Sequence, residues 1–197
     1  MSTLVTGMIM APGGLGGAIQ VTPDTRLVGA AAGAFVARGM VIQTVINKQN
    51  NRSTWSSPPT GNGTTITDMN LTISPKRAGS IILCEWTMFG EIQHNNVFVI
   101  HKNGSLAPGG YNLNAGNNRW SGYHTCVYDG DDNSTPATHH MMYWDSPAST
   151  ASVTYAPAIR CSNGNTYTFA LNRTLGSTGQ WAYENGVSIG IAWEIAA

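Results

Sequence analysis

The stretch "VSIGIAWEIAA" (187–197) decides how this chain folds. Val187, Ile189, Ile191, Trp193 and Ile195 alternate with Ser188, Gly190, Ala192 and Glu194. Period two is the spacing of a strand with one face buried. The apolar set predicts the side that fills a core. The other side is cut down mostly to Ser, Gly and Ala, which predicts close packing against something else. A segment this apolar is expected in the middle of a sheet, and the sheet in a β-sandwich.

Working back from that strand, the same texture recurs from Gly39 onward. Strands are expected over 40–46, 69–74, 80–90, 96–105, 119–128, 138–145, 151–159 and 166–173, with a Ser/Pro/Gly/Thr loop at 53–65. No amphipathic helix appears. "SIILCEWTMFG" (80–90) is nearly continuous in apolar residues, as suits a strand covered on both faces. Glu85 inside it is expected to be a buried, paired carboxylate. Asn-Gly pairs stand at 62–63, 103–104, 163–164 and 185–186, and this dipeptide suits the positive φ angles of type I′ turns. The predicted fold is all-β: an antiparallel, jelly-roll-like sandwich.

Residues 1–39 are unlike the rest. They hold eight Gly, seven Ala and three charges, Asp24, Arg26 and Arg38, and "APGG" and "LGGA" break any helix. Such a segment cannot build a core, so two parts are expected: an extended N-terminal arm (1–39) that anchors the chain to neighbours, and a head domain (40–197). The start lacks the cationic leader of a signal peptide. "LVGAAAGAFVA" (27–37) has 11 residues, against about 20 for a membrane-spanning helix. Membrane insertion is not expected.

Charged residues make up 10% of the 197, ten basic and ten acidic, for a formal net charge of zero. No basic field exists to gather nucleic acid by counterion release. A surface so poor in charge favours permanent assembly. The odd count of cysteines, Cys84, Cys126 and Cys161, argues against a disulfide framework, and buried thiols are expected.

Local motifs carry little chemistry. "DGDDN" (129–133) has alternating oxygen ligands, but an EF-hand wants Gly at the sixth position and Glu at the twelfth, where Ser134 and His140 stand. A solvated acidic turn is the expected reading. His139 and His140 are adjacent and would face opposite sides of a strand, so no metal centre is expected. No paired carboxylates, nucleophile elbow or cofactor loop stands out, and the expectation is a non-enzyme without cofactors. Among the aromatics, Trp120, Tyr123 and Trp181 are the candidates for binding a receptor, since a ring can stack on a ligand while its polar tip stays wet.

"TTITDMNLTISPKRAGSIILCEWTMFGE" (64–91), "VFVIHKNGS" (97–105) and the closing strand together resemble the small jelly-roll head domains of tailed-bacteriophage virion proteins. The matching residues are Leu71, Ile73, Pro75, Lys76, Ala78, Ser80, Ile82, Leu83, Glu194 and Ile195. Those heads are distant look-alikes of tumour-necrosis-factor and complement C1q heads, and the resemblance implies a homotrimer. It then implies that Val187 to Ile195 fill the sandwich while Ser188, Gly190 and Ala192, the oligomer-interface candidates, lie where neighbouring protomers or a second packing layer approach closely. The implied function is a structural virion protein, a short tail fibre or adhesin. Its arm meets other virion proteins, and its head loops bind a host-surface glycan or protein. The alternative is a capsid decoration or head-fibre protein.

Overall fold

The turn residues cut the chain into short extended segments. The computed structural model describes residues 36–93, 95–110, 120–128, 135–176 and 184–197; in them these segments form twelve strands and one 3-10 turn, Thr67–Met69. No α-helix occurs among the described residues. One sheet runs β1 (Val41–Gln49), β12 (Ser188–Ile195), β5 (Ile81–Glu91), β9 (Ala137–Asp145), with β11 (Tyr167–Leu171) and β2 (Thr54–Ser57) attached at the end of β5. The other has β10 (Val153–Cys161) and β6 (Asn96–Lys102) at its centre. Around them lie β3 (Thr64–Thr65), β4 (Leu71–Ile73), β7 (Ser105–Leu106) and β8 (His124–Thr125). From β4 through β5, β6, β9 and β10 to β12 the chain changes sheet at each step, and β12 returns beside β1. That is jelly-roll winding.

The closing strand is central, as its composition predicts, with β1 on one side and β5 on the other. Its two faces are the reverse of the expectation. Ser188, Gly190, Ala192 and Glu194 point into the sandwich and are buried, while Val187 and Ile189 are exposed. Ser188, Gly190 and Ala192 are therefore unavailable to a neighbouring chain. The reason is volume. Trp86, directly opposite Gly190, is fully buried and donates its indole N–H to the Met69 carbonyl at 2.9 Å. A Cβ on Gly190 would sit 2.8 Å from the Trp86 ring and 3.3 Å from Leu71. The small residues make room for the largest core side chain.

Glu194 takes part in that inward face differently. Its carboxylate accepts hydrogen bonds from Lys76 N at 2.9 Å, Arg77 N at 3.0 Å, Ser80 Oγ at 2.7 Å and Gln43 Nε2 at 2.6 Å. The "SPKRAGS" turn (74–80) wraps around it. Burial pushes the Glu194 carboxyl up, but the hydrogen bonds from Lys76, Ser80, Gln43 and Arg77 outweigh this and hold it below its ordinary value. Two of the three stretches that carry the resemblance, 64–91 and the closing strand, are thereby hydrogen-bonded together.

Elsewhere the outcome is mixed. Asn103 and Gly104 have φ of 51° and 77° and close the β6–β7 hairpin, as Asn-Gly predicts. The 53–65 "loop" contains β2 and β3, and the strand expected over 119–128 shrinks to His124–Thr125. Cys84 and Cys161 are buried and Cys126 is half-buried, all free thiols. The backbone of Gly39 and Met40 already pairs with Ala196, so the β1–β12 ladder begins at the boundary expected for the arm. Residues 1–35 lie outside the described residues.

Candidate functional site

In an antiparallel sheet, residues directly opposite one another share a face. Following the register across β1, β12, β5 and β9 gives three complete outward rows. These are Thr44–Trp193–Leu83–Trp144, Ile46–Ile191–Glu85–Met142 and Lys48–Ile189–Thr87–His140. Val41–Ile195–Ile81 extends them at one end. Ile46 is 66% exposed, Trp144 65% and Met142 47%. Four strands about 4.8 Å apart and seven residues at about 3.4 Å rise cover roughly 450 Å² in plan. Thr44, Glu85, Lys48, Thr87 and His140 break up this face, and the apolar share lies mainly in the first two rows and Val41–Ile195–Ile81; exposed apolar surface gathered in this way commonly marks an interaction site.

Glu85 lies within this patch. It is half-exposed on the outer face, not buried as expected, with its carboxylate 3.8 Å from His140 Nδ1. Lys48 is the other charged residue of the three rows.

The sandwich interior handles its charges structurally. The Glu91 carboxylate is buried and accepts from Thr135 N, Thr135 Oγ1 and Leu175 N. His139 is buried between Phe98, Phe169 and His124, with ring centroids 4.9–5.7 Å away. Neither of its nitrogens meets a partner in hydrogen-bond geometry. Burial, then the neighbouring His124, pushes it down to about 4, opposed in part by the Gly90 carbonyl. His140 points outward, so the two histidines divide as adjacent strand residues must. Among the described residues no group of three His, Cys, Asp or Glu could hold a metal ion.

The two receptor candidates among the described residues, Trp120 and Tyr123, do not converge. Trp120 lies over the outer face of the second sheet, its ring 3.3 Å from the Arg160 guanidinium carbon, beside Val97, Val99, Ala158 and Leu106. The hollow there is about 40 Å³, room for water and not for a sugar. Tyr123 lines a different cleft, of about 270 Å³, with Pro108, Gly109, Tyr143, Trp144 and Asp145. Its hydroxyl donates to the Gly109 carbonyl at 2.8 Å, and that of Tyr143 donates to Pro108 at 3.1 Å. Below them Asp145 Oδ2 accepts from Lys102 Nζ at 2.6 Å and Tyr155 OH at 2.5 Å. Burial raises the Asp145 carboxyl, and those two hydrogen bonds, with the Lys102 charge, bring it below its ordinary value. Trp181 and the Asp129–Asn133 turn lie outside the described residues. A third hollow, also about 270 Å³, is lined by Thr65, Thr67, Asn70, His101, Asn103, Gly104, Thr154 and Ala156, with no aromatic ring apart from the His101 imidazole.

Sequence reading missed Trp144, Asp145 and the outward apolar rows. The alternation of β9 was visible, but not which of its sides would stay uncovered.

No family model and no curated protein matches the chain. Among solved structures, the crystal structure of the infectious bursal disease virus VP2 subviral particle is similar, with a TM-score of 0.35 and 13% identity over 80% of this chain. This chain spans 39% of that one.

Proposed function

We propose that this chain is a non-enzymatic structural protein of a tailed-bacteriophage virion. Its β-head forms a homotrimer, and residues 1–39 tie it to other virion proteins. The observation that carries the reading is the uncovered apolar face of β1, β12, β5 and β9. A chain with 10% charged residues gains little solubility from the rest of its surface. Burying even about 1,000 Å² of apolar area at about 25 cal/mol per Å² offers roughly 25 kcal/mol before association costs. The choice of three copies, and of a phage particle, comes from the resemblance over residues 64–91, 97–105 and 187–197. The two fully buried carboxylates among the described residues, Glu91 and Glu194, hold loops in place, which fits a scaffold.

In this reading the head is a short tail fibre or adhesin that meets a host-surface glycan or protein through its loops. A capsid decoration or head-fibre role is the second reading. It is favoured by β1 starting at Val41, directly after the boundary expected for the arm. Imaging of intact particles tests both. Density at the tail tip supports the adhesin, and density on the capsid lattice supports decoration. Absence of the chain from purified particles overturns the virion reading altogether. Deleting residues 1–39 should leave a folded head that no longer incorporates; normal incorporation refutes the anchoring role.

A further inference from the structure

We propose that the cleft between the Pro108–Gly109 turn and strand β9 is a saccharide site, taking one neutral pyranose unit of a host-surface glycan. This rests on the adhesin reading and names its ligand class.

Donors and acceptors select the ligand class. The cleft's two phenolic hydroxyls already spend their protons on the carbonyls of Pro108 and Gly109. What they and those carbonyls still present to a ligand is lone pairs. Asp145 adds carboxylate oxygens, at 13% side-chain exposure. A wall of acceptors needs a ligand that brings several O–H donors. The rest of the wall is aromatic: Tyr123, 38% exposed, is backed edge-to-face at 5.8 Å by the buried Tyr143, and an exposed ring packs against the C–H face of a sugar. Charge narrows the class further. Lys102 neutralises Asp145 from within, so the site has no surplus charge to attract an ammonium group, and its acceptors repel a carboxylate or phosphate. The size, about 270 Å³, admits one ring. The equally large threonine-lined hollow lacks both the carboxylate and the phenol rings, and the one beneath Trp120 is too small.

The full-length protein is titrated, by saturation-transfer NMR, with the methyl glycosides of glucose, galactose, mannose and N-acetylglucosamine. Glucosamine and glucuronate serve as the cationic and anionic forms of the same ring. At least one neutral glycoside is expected to bind, and the charged rings to bind about tenfold more weakly or less. Tyr123→Ala should weaken the neutral ligand about tenfold, the factor expected for one hydrogen bond lost, while Tyr128→Ala, at an 83% exposed ring that does not line the cleft, leaves it unchanged. If circular dichroism shows Tyr123→Ala misfolded, Tyr123→Phe replaces it, with weakening again expected. Failure of every neutral glycoside to bind overturns the proposal. So does equal or tighter binding of a charged ring, or unchanged binding in the folded Tyr123 variant. Sedimentation of the same samples separates this from the assembly reading. A single-copy chain that binds sugar refutes assembly alone, and a trimer that binds none refutes the sugar site alone.

Discussion

Replacing Glu194 with alanine would test the hydrogen-bonded unit that closes the fold. The carboxylate receives four donors, at 2.6–3.0 Å, from the 76–80 turn and from Gln43. Hydrogen bonds to a charged group contribute about 1.5–3 kcal/mol each, so a naive sum gives about 6–12 kcal/mol. Two corrections reduce it. Burying the carboxylate itself costs several kcal/mol, and the backbone N–H groups of exposed Lys76 and Arg77 can turn to water once it is gone. Breaking a buried charged cluster from one side usually costs about 3–5 kcal/mol, and that is the expected loss. For a domain this size it lowers Tm by about 6–20 °C. Glu194→Gln keeps the volume but turns an NH₂ group toward other donors, and an intermediate loss is expected. The readout is urea unfolding followed by tryptophan fluorescence at fixed protein concentration, since assembly would otherwise shift the midpoint. pH gives a second handle. The folded carboxyl sits below its unfolded value, so its contribution is complete above about pH 4.5 and vanishes as pH falls through the folded value. Wild type and Glu194→Gln should therefore converge in acid. Losses under about 1 kcal/mol for both variants at pH 7 would refute the reasoning.

Further outcomes follow from the core. His139, held down to about 4 against 6.5 when unfolded, takes its proton more readily in the unfolded chain. Stability is complete above pH 6.5 and drains away toward pH 4, by about 3 kcal/mol in total and about 2 kcal/mol by pH 5. His139→Phe should remove that share of the slope in thermal melts at pH 7 and pH 5; an unchanged slope refutes it. Gly190→Val would force a methyl-bearing carbon against Trp86, costing about 1–3 kcal/mol or more. Denaturant midpoints measure it, and a neutral result would mean that the inward orientation of Gly190 is wrong.

The architecture was legible because alternation and Asn-Gly turns report local backbone shape. Sidedness was not. In the closing strand both faces lack charge except at Glu194, so period two marks a strand without saying which side meets the other sheet. That choice was made by Trp86 and Leu71, far away in the chain, whose bulk needs the space above Gly190. Glu85 was misread for the same reason: an apolar run looks buried on both faces, yet its outward half is uncovered in the single chain. Strand β2 was hidden because "TWSS" is polar and becomes a strand only through pairing with β11. Tyr123, singled out as a receptor candidate, lines a cleft. Its companions Pro108, Gly109 and Asp145 come from separate segments that no spacing rule connects.

The central claim is that the outward face of β1, β12, β5 and β9 is covered by sister copies. Sedimentation equilibrium of the wild-type protein beside an Ile46→Asp, Met142→Lys double variant tests it most directly. Three copies for the wild type and a folded single copy for the variant are predicted. A single-copy wild type, or a variant that assembles as well as the parent, would contradict the account.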